Sequence, residues 1–146
     1  MDNIKKLREL TGSSITLCKQ ALENSGGDFS KALTILGKSI EAIADKKSGR
    51  VAGAGIIDAY VHGNRKIGVL LELRTETDFV ARNDAFKTLA HEISLHITAM
   101  SPSDVATLLS QPYVKDPSIT IEELIKQSSG NFVEKIEVAR FSRFEL

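Results

Sequence analysis

The spacing of apolar residues divides the chain into two parts with different periods. In residues 1 to about 44 the apolar positions recur at helical intervals. Ile4, Leu7 and Leu10 mark a first helix; Ile15, Cys18, Ala21 and Leu22 a second; and Phe29, Ala32, Leu33, Leu36 and Ile40 a third. The breaks between them carry the chemistry of helix ends. Thr11-Gly12-Ser13-Ser14 supplies a glycine suited to a left-handed helix terminus and serines able to cap the next helix. Asn24-Ser25-Gly26-Gly27 ends the second helix, and Asp28 is placed to cap the third. Three helices of this length predict a small bundle. Residues 45–55 are charged and glycine-rich and read as a linker, which would let the bundle move relative to the rest of the chain.

From Ile56 the period falls to two. Ile57, Ala59 and Val61 alternate with Asp58, Tyr60 and His62, the pattern of a half-buried strand. Gly63 to Lys66 is turn chemistry, and Ile67 to Leu73 resumes as a second strand, predicting a hairpin. Phe86, Leu89, Ala90, Ile93, Ile97 and Met100 then fall on one face of a helix, with Asn83 as N-cap and Ser101-Pro102 as its stop. Next come a short helix over 104–110, a turn at Lys115-Asp116-Pro117, and a helix capped by Thr120 with Glu123 in a capping box. Ile136 to Phe144 reads as a third strand. The expected fold is α+β: a three-helix bundle (1–44), a linker (45–55), and a core (56–146) of a small antiparallel three-stranded sheet packed with helices.

Composition narrows the function. Of 146 residues 42% are apolar, enough for a core without disulfides, and Cys18 is the single cysteine, which suits a reducing, cytoplasmic setting. Lys+Arg and Asp+Glu are 19 each, so no global field draws the chain to phosphate backbones. No apolar run approaches the roughly 20 residues of a membrane span, and the start, Met1 to Lys6, has no leader pattern. Neither nucleic-acid nor membrane binding is expected.

The candidate catalytic chemistry is thin. Gly37-Lys38-Ser39 imitates the tail of a phosphate loop, but position 32 is alanine and the preceding segment is helical. His91 and His96 are five residues apart on one helix, not the three or four that would stack two ligands. Cys18 falls on an apolar helix face, where it reads as core. Lys135, Arg140 and Arg143 beside Phe141 and Phe144 suggest RNA binding only weakly; a two-faced strand explains them as well. No nucleophile, metal cluster or acid/base pair is marked, so neither an enzyme nor a cofactor is expected. What remains is Thr75 to Asp84, where a carboxylate (Asp78), an aromatic (Phe79) and a cation (Arg82) share a strand-to-helix corner. Such corners lie at the surface and reach other molecules, although a Phe beside a helix start ordinarily packs inward.

The residues that carry a resemblance are these. Glu76 to Asn83 reads Glu-Thr-Asp-Phe-Val-Ala-Arg-Asn; Leu7-Arg8, Thr11-Gly12 and Cys18-Lys19-x-Ala21-Leu22 form a second block. Tyr60-x-His62-Gly63, Ile67 to Leu70, His96-Ile97, Gln111-Pro112-x-Val114-Lys115-Asp116 and Arg140-Phe141-x-Arg143-Phe144-Glu145 complete the series. Together they resemble the elongation factor Ts family over nearly the whole chain.

The resemblance implies a ubiquitin-associated-like bundle, a linker and an α+β core. It implies exchange of guanine nucleotide on elongation factor Tu without direct nucleotide contact. Arg8 and the helix start at Ile15 would dock on the partner. Thr77, Asp78, Phe79, Val80, Arg82 and Asn83 would reach its nucleotide and magnesium region, and His62 and Gly63 would form a second contact. A single core module implies a homodimer. Departures are also visible. Ile15-Thr16-Leu17 replaces the family's Met-Met-Asp, and Ser14 replaces a glycine. Val133 and Lys135 stand where relatives carry Gly and Asn, and Ala139 stands for an Arg. A long helical insertion of many relatives, after the helix ending near Met100, is reduced here to about ten residues. A rival reading of the same pattern is an adaptor that binds a protein through its ubiquitin-associated-like module without promoting exchange.

Overall fold

The computed structural model describes residues 2–146. Helices α1 (Asp2–Thr11), α2 (Ile15–Asn24) and α3 (Phe29–Lys47) form the N-terminal bundle. Strands β1 (Ala54–Val61) and β2 (Ile67–Thr75) are followed by helices α4 (Asp78–Ala81), α5 (Asp84–Met100) and α6 (Val105–Ser110). Then come β3 (Pro112–Tyr113), β4 (Asp116–Thr120), α7 (Ile121–Phe132) and β5 (Ile136–Glu145). The α+β fold expected from the sequence is the one found.

The caps sit where the sequence places them. Leu17 N–H donates to Ser14 Oγ (3.2 Å), Lys31 N–H to Asp28 (3.0 Å) and Ala85 N–H to Asn83 (2.8 Å). Thr120 and Glu123 close a reciprocal capping box at 3.2 and 2.8 Å. Each satisfies helix-end donors that would otherwise lack a partner. Leu7, Cys18, Ala21, Ala32, Leu36 and Ile40 fill the bundle. Gly37 to Ser39 lie within α3, so no phosphate loop exists there.

The linker is shorter than the 45–55 read from composition, because α3 continues to Lys47 and β1 starts at Ala54. The bundle is also docked. Helix α3 packs against α7 at a seam where Gly130 leaves no room for a side chain: a Cβ there would lie 2.3 Å from the Ile40 carbonyl oxygen. Lys126 of α7 pairs with Asp45 of α3 at 3.5 Å.

The sheet is antiparallel in the order β1-β2-β5, with a bulge at Ala139 opposite Glu72/Leu73. Val69, Leu71, Leu73, Ile136 and Val138 face a core shared with Phe86, Ile93 and Ile97 of α5 and Ile121 and Ile125 of α7. A second, two-stranded sheet of β3 and β4, unforeseen from the sequence, comes after α6. It is tied to α5 by two side chains. Tyr113 donates to Glu92 (2.8 Å), and the Val114 N–H donates to His96 Nδ1 (3.1 Å). His96 Nε2 lies 2.9 Å from the Gln111 side-chain oxygen, so Nε2 carries the proton and Nδ1 accepts. His96 is fully buried, and burial holds its pKa below the usual range.

The phase of β1 corrects the sequence reading. Alternating strands normally turn their apolar set inward, yet Ile57 and Val61 are 62% and 64% exposed. Asp58 and Tyr60 face the helices instead. Asp58 accepts from Ser94 Oγ (2.8 Å) and lies 3.8 Å from His91, whose ring packs edge-on against Tyr60. Hydrogen-bond partners on α5 fix the register, which leaves Ile57, Leu70 and Phe144 together with Val61 on the open face of the sheet.

The basic residues of the last strand also part company. Arg140 lies on the open face with Glu72 (3.2 Å), Arg143 turns inward to the Thr98 carbonyl (3.0 Å) and Glu145, and Lys135 pairs with Glu137. With each cation matched and the arginines on opposite faces, these residues form no joint RNA-binding patch.

Candidate functional site

The corner from Thr75 to Asp84 is built by a division of labour along four helical residues. Val80 and Ala81 turn into the core. Phe79 turns out and is 85% exposed, and Asp78, Arg82 and Asn83 are exposed beside it. Asp78, Phe79, Arg82 and Asn83 line one shallow surface hollow. Val80, expected as a partner contact, is only 6% exposed and anchors the corner instead.

A helix of four residues has no stability of its own. Its geometry is imposed by Glu134, a buried carboxylate just after α7. The Thr77 N–H donates to Glu134 Oε1 at 2.8 Å, and the Thr77 hydroxyl lies 2.9 and 2.8 Å from its two oxygens. Thr75 adds a longer contact to the same carboxylate. Thr77 Oγ1 in turn accepts from the Val80 N–H (3.3 Å), completing the N-cap. Glu76 supplies the second brace. It accepts from the Lys135 N–H (2.9 Å) and pairs with Arg50 (3.2 Å). The Lys135 amide, with help from Arg50, holds the Glu76 carboxyl below the usual carboxylate range. Phe79 is therefore presented on a rigid mount.

Sequence reasoning missed Glu134 and Asn131. Nothing in their neighbourhood marks them, because their partners lie far away along the chain: Thr77 is 57 residues from Glu134, and Thr11 is 120 residues from Asn131.

The other predicted residues fall into two further places. Arg8 is exposed on α1, and Ile15 is 57% exposed at the start of α2. His62 and Gly63 are exposed at the tip of the β1–β2 hairpin, where the Tyr60 hydroxyl lies 3.1 Å from His62 Nδ1. Ala54 pairs with Thr75 at one end of the hairpin and Val61 with Gly68 at the other. At about 3.3 Å per residue, the tip is roughly 23 Å from the corner. The structure thus presents a corner, a hairpin tip and an exposed α2 start as separate surfaces. Among the described residues no group of three or more His, Cys, Asp or Glu is placed to hold a metal ion.

The family profile described as Elongation factor TS matches residues 9–105 and 76–146. The chain belongs to the elongation factor Ts family. It is similar to the Elongation factor Ts of Nostoc sp., with 43% identity over 143 residues that cover 98% of this chain and 45% of that protein. It is 39% identical to that of Coprothermobacter proteolyticus, covering 98% of this chain and 95% of the relative. With that of Thermotoga neapolitana it shares 39% identity, covering 100% and 96%. The chain therefore spans under half of one relative and nearly all of the other two. Alignments with the latter two run over 188 and 189 positions against 146 residues here, so both carry segments this elongation factor Ts family member lacks. Membership places it among the translation elongation factors. No helix among the described residues is long and apolar enough to cross a membrane.

Proposed function

We propose that this protein binds elongation factor Tu and promotes GDP release from it, with Phe79 as the residue that displaces packed side chains beside the nucleotide. The single observation that carries this reading is the exposure of Phe79 on a mount braced by Glu134 and Glu76. Exposing a Phe side chain to water costs about 2 kcal/mol relative to burying it, and a partner that sheathes it recovers this. Asp78, next to it, brings a negative charge that competes with phosphate for a nearby cation.

No catalytic residue is required. The factor and the nucleotide bind the same partner with unfavourable coupling, so each weakens the other by the same factor. Release is faster because the factor binds the nucleotide-released state better. Arg8 and Ile15 would dock the bundle, and His62 and Gly63 would touch the partner at the far end of the hairpin.

The open face of the sheet supports pairing with a second copy. Ile57, Val61, Leu70 and Phe144 expose apolar area beside the Glu72–Arg140 ion pair, a surface that can complement itself about a two-fold axis.

The test is release of a fluorescent GDP analogue from purified elongation factor Tu, with the parent and with Phe79→Ala. Acceleration by the parent and its loss in the variant are expected. Binding by the parent without acceleration would leave a non-exchanging adaptor as the function.

A further inference from the structure

The last turn of α7 holds both the corner and the bundle. Asn131 uses both ends of its side chain on the loop between α1 and α2. Its Nδ2 donates to the Thr11 carbonyl at 2.7 Å, and its Oδ1 accepts from Ser13 Oγ at 2.9 Å. Ser13 is 1% exposed, and it directly precedes Ser14, the cap that launches α2 and Ile15. Gly12 closes onto the same side chain: a Cβ there would lie 3.3 Å from Asn131 Nδ2. Three residues beyond Asn131, Glu134 holds Thr77. The segment between them is locked, because Ser129 Oγ donates to the Glu134 carbonyl (2.6 Å) and the Glu134 N–H returns to the Ser129 carbonyl (3.3 Å).

Elsewhere the bundle meets the core along the α3–α7 seam, and hollows flank that seam. Cavities of about 440 and 270 Å³ open between α3 and α7, one lined by Leu33, Gly37 and Gln127, the other by Ala44, Ser48 and Glu122. The covalent connection, residues 48–53, has no regular structure. Orientation of the bundle therefore depends on the Gly130 seam, the exposed Lys126–Asp45 pair and the Asn131 bonds. Of these, only the Asn131 bonds grip the loop that leads into α2.

We propose that the last turn of α7 is a bracket that sets the relative position of the Ile15 and Phe79 surfaces, with Asn131 as its positioning residue. This rests on the exchange reading above, in which both surfaces engage one partner. Two surfaces held in register bind as one; released, the second must be found by search. Loss of the bracket should weaken binding and leave the action of Phe79, once bound, intact.

The experiment uses the full chain as parent, Asn131→Ala, Ser13→Ala and Phe79→Ala. GDP release is followed against factor concentration. Asn131→Ala should raise the half-saturating concentration roughly ten-fold with the maximal rate unchanged. Ser13→Ala, which keeps the Thr11 bond, should fall between it and the parent, and Phe79→Ala should lower the maximal rate. In parallel, spin labels at Lys31→Cys and Lys87→Cys, both exposed, report the bundle-to-core distance in the free protein; Cys18 is buried and protected from labelling. Asn131→Ala should broaden that distribution.

An unchanged half-saturation in Asn131→Ala, or a fall in its maximal rate alone, overturns the bracket while exchange stands. If the parent itself gives no exchange, the function reading fails, and the distance distribution alone decides. A width equal to the parent's rejects the bracket, and a broadened one supports it.

Discussion

Gly130→Ala sets two well-understood effects against each other. In a helix interior alanine is favoured over glycine by about 1 kcal/mol, so an uncrowded α7 would gain stability. In the seam the new Cβ would lie 2.3 Å from the Ile40 carbonyl oxygen, 2.5 Å from its Cγ2 and 2.9 Å from its carbonyl carbon. Two of these atoms belong to the backbone of α3, so no rotamer change makes room. Ordinary contact returns only if the helices separate by about 1 Å. Overpacking costs about 1–3 kcal/mol, and contact with backbone that cannot step aside puts this case at about 2–3 kcal/mol; after the helical gain the net loss is about 1–2 kcal/mol. For a chain of this size that lowers Tm by roughly 2–8 °C. Gly37→Ala is the control: it lies in α3 with nothing within 4 Å of its Cβ position, and it should gain up to about 1 kcal/mol. Urea and thermal unfolding followed by circular dichroism compare the two. Equal stabilisation by both would refute the close approach of α3 and α7.

Three other outcomes are expected on the same structural grounds. Val133 caps α7 at φ 57°, a region that costs a β-branched residue about 1–2 kcal/mol; Val133→Gly should stabilise by about 0.5–1 kcal/mol, and a less stable variant in urea would contradict that strain. His96 has its folded pKa below the unfolded value of 6.5, so the unfolded chain binds the proton more readily; the stabilisation is complete above about pH 6.5 and is lost as pH falls through the folded pKa. The urea midpoint should drop between pH 7.5 and 5.5, and less so in His96→Gln; equal slopes would exclude His96 as the cause. Leu70→Glu places a charge at the centre of the open sheet face and should convert a dimer to a monomer in sedimentation velocity without loss of helicity, whereas a monomeric parent at high concentration would remove the pairing.

What was legible in the sequence was whatever depends on neighbours along the chain. Ser14, Asp28, Asn83 and Thr120 cap helices within three residues of themselves, and their spacing alone is enough to find them. The stripe from Phe86 to Ile97 buries as its period predicts. The failures lie where distant partners decide. Ile57, Ala59 and Val61 keep a correct strand period, but its phase depends on Ser94 and His91 drawing Asp58 inward. The composition of 45–55 suggests a freely hinged bundle, while the docking resides in Gly130, Asn131 and Lys126, which lie on a helix near the other end of the chain. The hairpin of β3 and β4 has strands of two and five residues, too short for a periodic signal.

Phe79 and Val80 bring these two kinds of information together. They are adjacent, both apolar, and both at a helix start, yet one is 85% exposed and the other 6%. Phe79 and Ala81 flank Val80 at about 100° on either side, so a flat core that buries Val80 takes only one of the two with it. Which one goes inside is a question of how the turn is rotated about its axis, and a four-residue turn has no internal means of fixing that rotation. Burial of Val80 and Ala81 favours one orientation, and the bonds from Thr77 to Glu134 hold the turn's first residue in the matching position. The exposure of Phe79 is thus determined by a carboxylate remote in sequence. The local pattern at the corner could suggest a surface segment; which of its side chains is offered to a partner depends on the turn between α7 and β5 being folded against it.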